Sequence, residues 1–413
     1  MLRTKKQILT DYLLLLNKEK NLNYSDKEIE SKINNPDEKK ITERLLLDEL
    51  YSAEVIKGQT VSTERAFFIL CDIIIRYDFK TGDRIWNNFV KMQFLLVERN
   101  KMSCYMAARG HGKTFFLGLY ALFKMFLIPY YEIGYCSNIP RQRRRFLKLF
   151  RSLIDTNELL LEKKDKQKIL NKDIPWGTEE ADYNEGLLEG TTVGTTPRGG
   201  HYNLAIGDDP LRDDKKYTYE FIVNYFQGIY KQTIYRKKGR YIIVGTPQDP
   251  EDLFHTLMNS NLDRNNRPIG KLIVGKISSA GFYSEIFPGI LSDKKKEVLV
   301  PEIWTYDELM IEKGRIGDIR FNREILCKCI TYRNSLIGSA LFRSCCDEKL
   351  TMLQKGESGK KYVCFIDSAT SDAPTADYCS MAVFEDDIKS NKFIFRYLFH
   401  EKGYPITDPT GGT

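Results

Sequence analysis

The fold of this chain is decided by residues 107–114, which read Ala107-Ala108-Arg109-Gly110-His111-Gly112-Lys113-Thr114. An apolar run precedes them at 94–97, and an apolar segment with helical spacing follows at 115–131. Gly-Lys-Thr is the end of a phosphate-binding loop. In such loops glycines let backbone N–H groups approach a polyphosphate, the lysine neutralises its terminal oxygens and the threonine hydroxyl ligates Mg²⁺. Ala107 replaces the first glycine of the usual pattern, so this stretch alone also fits a plain turn before a buried helix.

Length and composition indicate a folded protein with room for two domains. The chain has 413 residues, of which 42% are apolar and 29% charged, and its net charge is +7. These values exclude a chain that is disordered throughout. A charge of this size is compatible with binding to nucleic-acid phosphates, and it does not require such binding.

The cysteines favour a reducing compartment. None of the nine forms a CxxC pair, and only four histidines accompany them. The close pairs Cys327/Cys329 and Cys345/Cys346 have spacings that are poor for chelation, so we expect reduced thiols rather than a zinc site.

The apolar segments of the sequence are too short for a membrane protein. The stretch at 115–131 is interrupted by Lys124 and falls short of the roughly 20 residues that cross a bilayer. The apolar run at 12–16 is too short for a secretory signal. We therefore expect a soluble, intracellular protein with no membrane partner.

Short β-like runs alternate with helical segments along most of the chain. The runs lie at 133–136, 187–193, 202–206 and 241–244. This alternation predicts an α/β fold with a doubly wound and mostly parallel sheet. Together with the loop at 107–114, it leads us to expect the fold of a P-loop NTPase. We divide the chain into four parts, which are a helical N-terminal segment (1–60), the domain with the phosphate loop (61–320), a connector (321–360) and a last β-rich unit (361–413).

Polar side chains follow two of these β-like runs. Asp208 and Asp209 come after 204–206, and Thr246 comes after 242–244. Ligands of doubly wound sheets bind at the carboxyl ends of the strands. We expect Asp208 to hold Mg²⁺ on a nucleotide and Asp209 to polarise the attacking water. Without the phosphate loop, the same two carboxylates would only open a turn.

A basic helix is predicted at 141–151. It places six cations in eleven residues, namely Arg141, Arg143, Arg144, Arg145, Lys148 and Arg151. This pattern fits a solvated amphipathic face, and it equally fits a surface for phosphates or the source of an arginine finger. The Gly/Thr/Arg-rich loop at 194–200 is a second candidate for contact with nucleotide or DNA.

Taken together, these motifs resemble the large terminase subunit of tailed bacteriophages, the motor-nuclease that packages viral DNA. The resemblance covers about 65–400 and includes an arginine inside the phosphate loop. It rests on residues 108–114, on Gly199-Gly200-His201-Tyr202-Asn203-Leu204-Ala205-Ile206-Gly207-Asp208-Asp209-Pro210, on Gly245-Thr246-Pro247, on Phe321-Asn322-Arg323-Glu324 and on Phe365-Ile366-Asp367-Ser368-Ala369.

The resemblance implies a role for each matching residue of an ATPase motor. Asp208 would be the Walker B carboxylate, Asp209 the catalytic one and Thr246 the residue that couples hydrolysis to movement. Arg109, or one of the arginines at 141–145 acting on a neighbouring subunit, would stabilise the transition state. Gln93 would read the adenine. ATP and Mg²⁺ would be bound by Ala108, Gly110, His111, Gly112, Lys113, Thr114 and Asp208.

The last part of the chain looks like the opening of an RNase H-like nuclease. Asp367 ends a β-like run at 362–366, and two more runs follow at 378–384 and 392–399. By resemblance Asp367 would ligate Mg²⁺ or Mn²⁺, with Asp372 and Asp377 as helpers. Only three strands of that sheet precede Thr413, so either the remainder lies in another polypeptide or the nuclease is degenerate.

The resemblance therefore implies an ATP-driven translocase of double-stranded DNA with an incomplete nuclease. Such a motor would form a homo-oligomeric ring in the host cytoplasm and dock transiently on the procapsid. Its protein partners would be the portal protein and the small terminase subunit. Two alternatives stay open: a helicase or repair ATPase with the same core, and a nucleotide-gated DNA-binding assembly protein with a dead nuclease.

Overall fold

The structure, a computed structural model, describes two compact units, Met1–Arg333 and Asn334–Thr413. Each unit is considered by itself. The described residues are 3–56, 59–75, 85–165, 179–195, 201–211, 217–235, 238–250, 252–262, 268–329, 353, 355–367, 378–387 and 392–402.

The helices among these residues are mostly short and lie in the first unit. None of them is long and apolar enough to cross a membrane. Two continue as π-helical turns, α4 into Ile69–Ile75 and α9 into Tyr225–Tyr230. The helices are α1 (Lys5–Lys20), α2 (Asp26–Asn34), α3 (Pro36–Leu50), α4 (Glu64–Phe68), α5 (Asn88–Arg99), α6 (Lys113–Leu127), α7 (Pro140–Asp155), α8 (Glu158–Asp165), α9 (Tyr219–Asn224), α10 (Leu253–Leu257), α11 (Tyr306–Ile316) and α12 (Asp318–Glu324).

The strands form one large sheet and three small ones. They are β1 (Ala53–Ile56), β2 (Gln59–Ser62), β3 (Met102–Ala107), β4 (Ile133–Ser137), β5 (Glu180–Tyr183), β6 (Gly186–Thr192), β7 (Leu204–Asp208), β8 (Arg240–Gly245), β9 (Lys276–Ile277), β10 (Tyr283–Phe287), β11 (Ile290–Ser292), β12 (Glu297–Val298), β13 (Lys361–Asp367), β14 (Tyr378–Asp387) and β15 (Lys392–Lys402).

The large sheet has eight strands in the order β5-β6-β4-β7-β8-β3-β10-β9. The six central strands run parallel, and the two edge strands β5 and β9 are antiparallel to their neighbours. This arrangement confirms the predicted α/β fold with a mostly parallel sheet. Because β8 lies between β3 and β7, the carboxyl ends of these three strands lie side by side.

The central strands are buried, as expected for a parallel sheet covered on both faces. All residues of β4 and β7 are buried, and so is nearly the whole of α6. The apolar run at 94–97 belongs to α5. The strand that leads into the phosphate loop is β3, which the sequence analysis did not predict.

The N-terminal helices belong to the same core as the sheet. Their apolar side chains, among them Ile8, Leu16 and Leu46, pack in one cluster with residues of α5 and α6. Thr4 and Ser25 begin α1 and α2 with reciprocal capping boxes, which satisfy backbone N–H groups at each helix start. These helices therefore stabilise the unit that contains the phosphate loop.

The second unit contains one antiparallel sheet in the order β13-β14-β15. These strands cover the three β-like runs predicted at 362–366, 378–384 and 392–399. Glu385 on β14 is buried and forms ion pairs with Lys360 and Arg396. Aromatic side chains such as Phe365 and Phe393 are exposed on this sheet.

Candidate nucleotide-binding site

The loop between β3 and α6 has the backbone of an anion-binding turn. Gly110 and Gly112 have φ values of +78° and +86°, which cost a residue with a side chain about 1–2 kcal/mol. The helix α6 begins at Lys113 directly after Gly112, so the N–H groups of its first turn face the loop. A helix start of this kind, preceded by glycines, binds phosphate readily.

Lys113 lies inside this loop and is only 5% exposed. Its Nζ donates hydrogen bonds to the carbonyl oxygens of Ala107 at 2.9 Å and Ala108 at 3.2 Å. It also donates to Oγ1 of Thr246, the residue that follows β8, at 3.4 Å. The ammonium therefore lies where the loop begins, with neutral oxygens as partners that phosphate oxygens can replace.

Asp208 is the last residue of β7 and is fully buried. Its Oδ2 accepts hydrogen bonds from Thr114 Oγ1 at 2.8 Å, Tyr135 OH at 2.8 Å and Gln142 Nε2 at 3.2 Å. Burial, and next the charge of Asp209, raise the pKa of this carboxyl to about 6. Three hydrogen bonds therefore hold the carboxyl group through Oδ2, while its burial disfavours the ionised form.

The other oxygen of Asp208 fits a divalent cation. Oδ1 is buried and has no hydrogen-bond partner among the described residues. The hydroxyl of Thr114 is in contact with the same carboxylate. A carboxylate and a hydroxyl beside a phosphate site are the ligands that Mg²⁺ uses, and its charge would offset the burial of the carboxylate.

Asp209 turns sharply away from the strand and lies over the end of β8. Its φ is +43°, and its N–H donates to the carbonyl oxygen of Val244 at 2.9 Å. A Cβ atom at Gly245 would lie 2.8 Å from Asp209 Oδ1, so only glycine leaves room for this carboxylate. Asp209 therefore lies against Gly245, the residue before the buried Thr246.

Arg109 projects from the loop and is 70% exposed as a side chain. Its NH1 is 3.0 Å from Oε2 of Glu324, the last residue of α12, and its backbone N–H donates to the Glu324 carbonyl oxygen at 2.8 Å. The guanidinium is thus held by a carboxylate of another segment while it remains open to solvent.

His111 and Trp304 line the loop with buried nitrogen atoms. His111 Nδ1 is 2.9 Å from the carbonyl oxygen of Arg109, and burial lowers the pKa of the ring to about 4, so it is neutral at pH 7. Its Nε2 has no hydrogen-bond partner within the described part of the chain, and neither does Trp304 Nε1. A Cβ atom at Gly110 would lie 3.4 Å from that indole nitrogen. Both nitrogens lie at the loop where a polar ligand would bind.

Gln93 is packed beneath the sheet. It is fully buried, its Oε1 accepts a hydrogen bond from Tyr105 OH at 3.1 Å, and its Nε2 donates to the Phe89 carbonyl oxygen at 3.5 Å. These contacts give its side chain a structural role in this conformation. Its contact with an adenine base stays a prediction.

The basic helix α7 has an exposed face and a face turned towards the site. Arg141, Arg144 and Arg145 are exposed, whereas Arg143 is paired with Glu179 at 2.7 Å. Gln142, on the other face, reaches Asp208. Of the candidate loop at 194–200, residues 196–200 lie outside the described residues.

The sequence analysis missed several side chains that complete the site. Tyr135 and Gln142 hold the Asp208 carboxylate, Glu324 holds Arg109, and Trp304 covers Gly110. Two of them carried a sequence signal: Gln142 stands at the start of a basic helix, and Glu324 ends the Phe321-Asn322-Arg323-Glu324 motif, for which no contact with Arg109 was predicted. Tyr135 and Trp304 are single residues without any local pattern.

Asp367 lies at the end of β13, where it is exposed and is paired in register with Ser380 of β14. It belongs to no group of metal-ligating side chains among the described residues. Its proposed helpers, Asp372 and Asp377, lie outside the described residues. The assignment of a metal site to Asp367 stays a prediction.

No protein-family model matches the chain, and no curated protein matches it. The chain is similar to solved structures of large terminases from several phages. The large terminase of bacteriophage HK97 has a TM-score of 0.47 and 13% identity, over 80% of this chain and 67% of that chain. The large terminase ATPase domain of Thermus phage P74-26 has a TM-score of 0.37 and 16% identity, over 57% and 91%. The large terminase of a thermophilic bacteriophage, in complex with ATP-gamma-S, has a TM-score of 0.35 and 11% identity, over 74% and 64%. At these identities the likeness assigns no role to any residue of this chain.

Proposed function

We propose that this protein is an ATP-hydrolysing motor that moves double-stranded DNA during viral genome packaging. One observation carries the ATPase part of the proposal. The two terminal residues of the loop motif, Lys113 and Thr114, contact Thr246 directly after β8 and Asp208 on β7, respectively. A phosphate loop, a metal-binding carboxylate and a small polar residue thus meet at the carboxyl ends of three adjacent parallel strands, where nucleotides bind in such sheets.

ATP would bind with its phosphates on the backbone of residues 108–112. Lys113 would exchange its carbonyl partners for phosphate oxygens, and Mg²⁺, held by Thr114 and Asp208, would neutralise the charge that develops there. The contacts that Oδ2 of Asp208 already makes leave Oδ1 directed to the metal. Tyr135 and Gln142 therefore act as positioning residues.

Hydrolysis requires an oriented water and a cation for the transition state. Asp209 supplies the second carboxylate, against Gly245 at the end of β8, and would orient the water. Arg109 would move from Glu324 to the phosphates. The Arg109 side chain is 70% exposed in that ion pair, and Glu324 keeps a second cation, Arg323, at 3.2 Å. The loss of the Arg109 contact therefore costs about 1 kcal/mol, which a contact with phosphate can replace.

Thr246 would report the state of the nucleotide, because its hydroxyl contacts the lysine that binds the phosphates. A change at Lys113 on loss of phosphate would be transmitted to the segment after β8. The exposed arginines of α7, at 141, 144 and 145, are the surface that we assign to DNA phosphates or to a neighbouring subunit of a ring. The host cytoplasm, the procapsid, the portal protein and the small terminase subunit complete the proposal, and they rest on the resemblance of the sequence motifs alone.

The test is ATP hydrolysis by the full chain and by Lys113→Ala, with and without double-stranded DNA. We expect Lys113→Ala to lose hydrolysis with its fold intact, as seen by circular dichroism. The exposed Lys294→Ala is the matched control and should keep full activity. Hydrolysis that persists in Lys113→Ala would rule out this site.

The same preparations separate the rival functions. Nucleotide binding without turnover in the unmodified chain would indicate an assembly protein rather than a motor. Strand separation of a forked duplex would indicate a helicase. For the second unit we expect weak or no cutting of plasmid DNA with Mg²⁺ or Mn²⁺. Robust nicking that is lost in Asp367→Ala would show a complete nuclease site.

A further inference from the structure

A second group of ligating side chains lies after β8, outside the nucleotide site. Asp252, His255 and Cys329 each offer one atom, and these three atoms lie within 4.8 Å of one another. Asp252 is fully buried, and the side chain of His255 is only 12% exposed. This is the only such group of three among the described residues.

The carboxylate of this group is fixed by the backbone. Oδ2 of Asp252 accepts the N–H groups of Gln248 at 2.6 Å and Asp249 at 3.1 Å, and Oδ1 accepts the N–H of His255 at 3.0 Å. Asp252 is thereby the N-cap of α10. Its Oδ1 is also 2.9 Å from His255 Nδ1, so the imidazole is oriented by the same carboxylate.

The thiol of Cys329 completes the group from a distant part of the chain. It follows α12 and is half-buried. Its sulfur lies within 4.8 Å of the ligating atoms of Asp252 and His255. A cation held by the carboxylate and the imidazole would therefore be within reach of the sulfur, and cysteine ligates metals as its thiolate.

We propose that Asp252, His255 and Cys329 bind one Zn²⁺ ion, with water as the fourth ligand. Carboxylate oxygen, imidazole nitrogen and thiolate sulfur are the ligands that zinc prefers, and a tetrahedral site accepts three protein ligands and one water. On binding, Cys329 releases its proton to solvent. His255 keeps one proton, which moves from Nδ1 to Nε2 as Nδ1 becomes the ligand. No electron is transferred.

The metal would join two segments that contact the phosphate loop. Asp252 follows Thr246 by six residues, and Cys329 follows Glu324 by five. Thr246 contacts Lys113, and Glu324 contacts Arg109. A metal link between the two segments would hold both of these partners in place. The inference does not depend on ATP hydrolysis, because binding of a metal ion to these three side chains is measured without nucleotide.

The test is metal binding by the full chain after removal of metals with a chelator, with thiols reduced and without nucleotide or Mg²⁺. Co²⁺ is added first, because a cobalt–thiolate bond gives a charge-transfer absorption band, and Zn²⁺ is then added as competitor. We expect one equivalent of Co²⁺ per chain, displaced by one equivalent of Zn²⁺. Zinc should also raise the midpoint of thermal unfolding, since it binds the folded state.

Variants assign the binding to these residues. Cys329→Ala should lose the absorption band, and His255→Ala should weaken binding tenfold or more. The control is Cys364→Ser, which removes an exposed cysteine of the other unit and should leave the band unchanged. The zinc-induced rise in unfolding midpoint should be kept in the control and lost in Cys329→Ala.

Three results would overturn the proposal. The first is the absence of stoichiometric Co²⁺ binding in the unmodified chain. The second is a band that survives in Cys329→Ala or disappears in Cys364→Ser. The third result concerns the case in which Cys329→Ala does not fold. His255→Ala then provides the test, and unchanged Co²⁺ binding in that variant would exclude the site.

Discussion

Replacement of Asp208 by asparagine should change how the stability of the nucleotide-free protein depends on pH. The pKa of this buried carboxyl is raised from 3.8 to about 6. Each pKa unit corresponds to 1.36 kcal/mol, so the ionised carboxylate lowers the free energy of unfolding by about 3 kcal/mol above pH 6. Below pH 3.8 the carboxyl is protonated in both states and this cost disappears. The free energy of unfolding therefore falls as the pH rises from about 4 to 6 and Asp208 ionises in the folded protein.

The Asp208→Asn variant lacks this dependence, because its amide does not titrate. Its amide oxygen can still accept hydrogen bonds from Thr114, Tyr135 and Gln142, which keeps the packing. The amide nitrogen is a new buried donor in place of Oδ1, at a cost of about 1–3 kcal/mol that does not vary with pH. The informative quantity is thus how the difference in free energy of unfolding between the two proteins changes with pH.

The assay is urea unfolding between pH 5 and 8 without Mg²⁺, followed by tryptophan fluorescence. Trp86 and Trp304 are described residues of the first unit and report its unfolding. From pH 8 to pH 5 the unmodified protein should gain roughly 1–2 kcal/mol relative to Asp208→Asn, about half of the full cost. Asp367→Asn, an exposed residue of the other unit, is the control and should follow the unmodified protein. A constant difference across this range, or a difference of opposite sign, would refute the electrostatic argument.

Three further predictions concern the loop, the core and the Asp208 carboxylate. Gly112→Ala should lower the free energy of unfolding by about 1–2 kcal/mol, because its φ is +86° although no atom crowds the new methyl group. Gly314→Ala, within α11 and equally uncrowded, should be neutral or stabilising in the same urea assay. Lys124→Met should cost about 3–5 kcal/mol by leaving Glu98 buried without its ammonium partner, and a second change of Glu98 to glutamine should restore part of the loss. Gln142→Ala should raise the Mg²⁺ concentration for half-maximal hydrolysis about fivefold, as expected for the loss of one hydrogen bond of about 1 kcal/mol to that carboxylate. An unchanged Mg²⁺ requirement would argue against its positioning role.

The meeting of Lys113, Thr114, Asp208 and Thr246 could be predicted from sequence for a physical reason. Each residue stands at or just beyond the carboxyl end of a strand, or in the loop that follows one. Parallel strands bring those ends to one edge of the sheet. Once the alternation of strands and helices is recognised, the site follows from topology and needs no knowledge of side-chain contacts.

The strand β3 could not be recognised in the same way. Its sequence, Met102-Ser103-Cys104-Tyr105-Met106-Ala107, contains no β-branched residue, and the more apolar run at 94–97 just before it is helical. The pairing of β3 with β8 and β10 across the middle of the sheet decides its conformation. Local propensity was therefore outweighed by tertiary contacts.

The partners of the loop were also beyond sequence reasoning. Glu324 lies 215 residues from Arg109, and Gln142 lies 66 residues from Asp208. The motif that ends in Glu324 and the basic helix that contains Gln142 carry no pattern that reveals these partners. The spacing of Cys327 and Cys329 predicted reduced thiols, but spacing along the chain could not reveal that Asp252 and His255 lie beside Cys329.

The contacts around the loop suggest how a nucleotide could act on the rest of the first unit. Lys113 is engaged by Thr246, Thr114 by Asp208 and Arg109 by Glu324. A nucleotide shifts a conformational equilibrium only by the difference in its affinity for the two states. Here that difference would arise because phosphate oxygens and Mg²⁺ compete for the same lysine, hydroxyl, carboxylate and arginine that tie the loop to β8, β7 and α12. In the proposed motor, loss of the terminal phosphate would return Arg109 and Lys113 to their protein partners. We therefore expect the conformational change in the segments that follow β8 and α12.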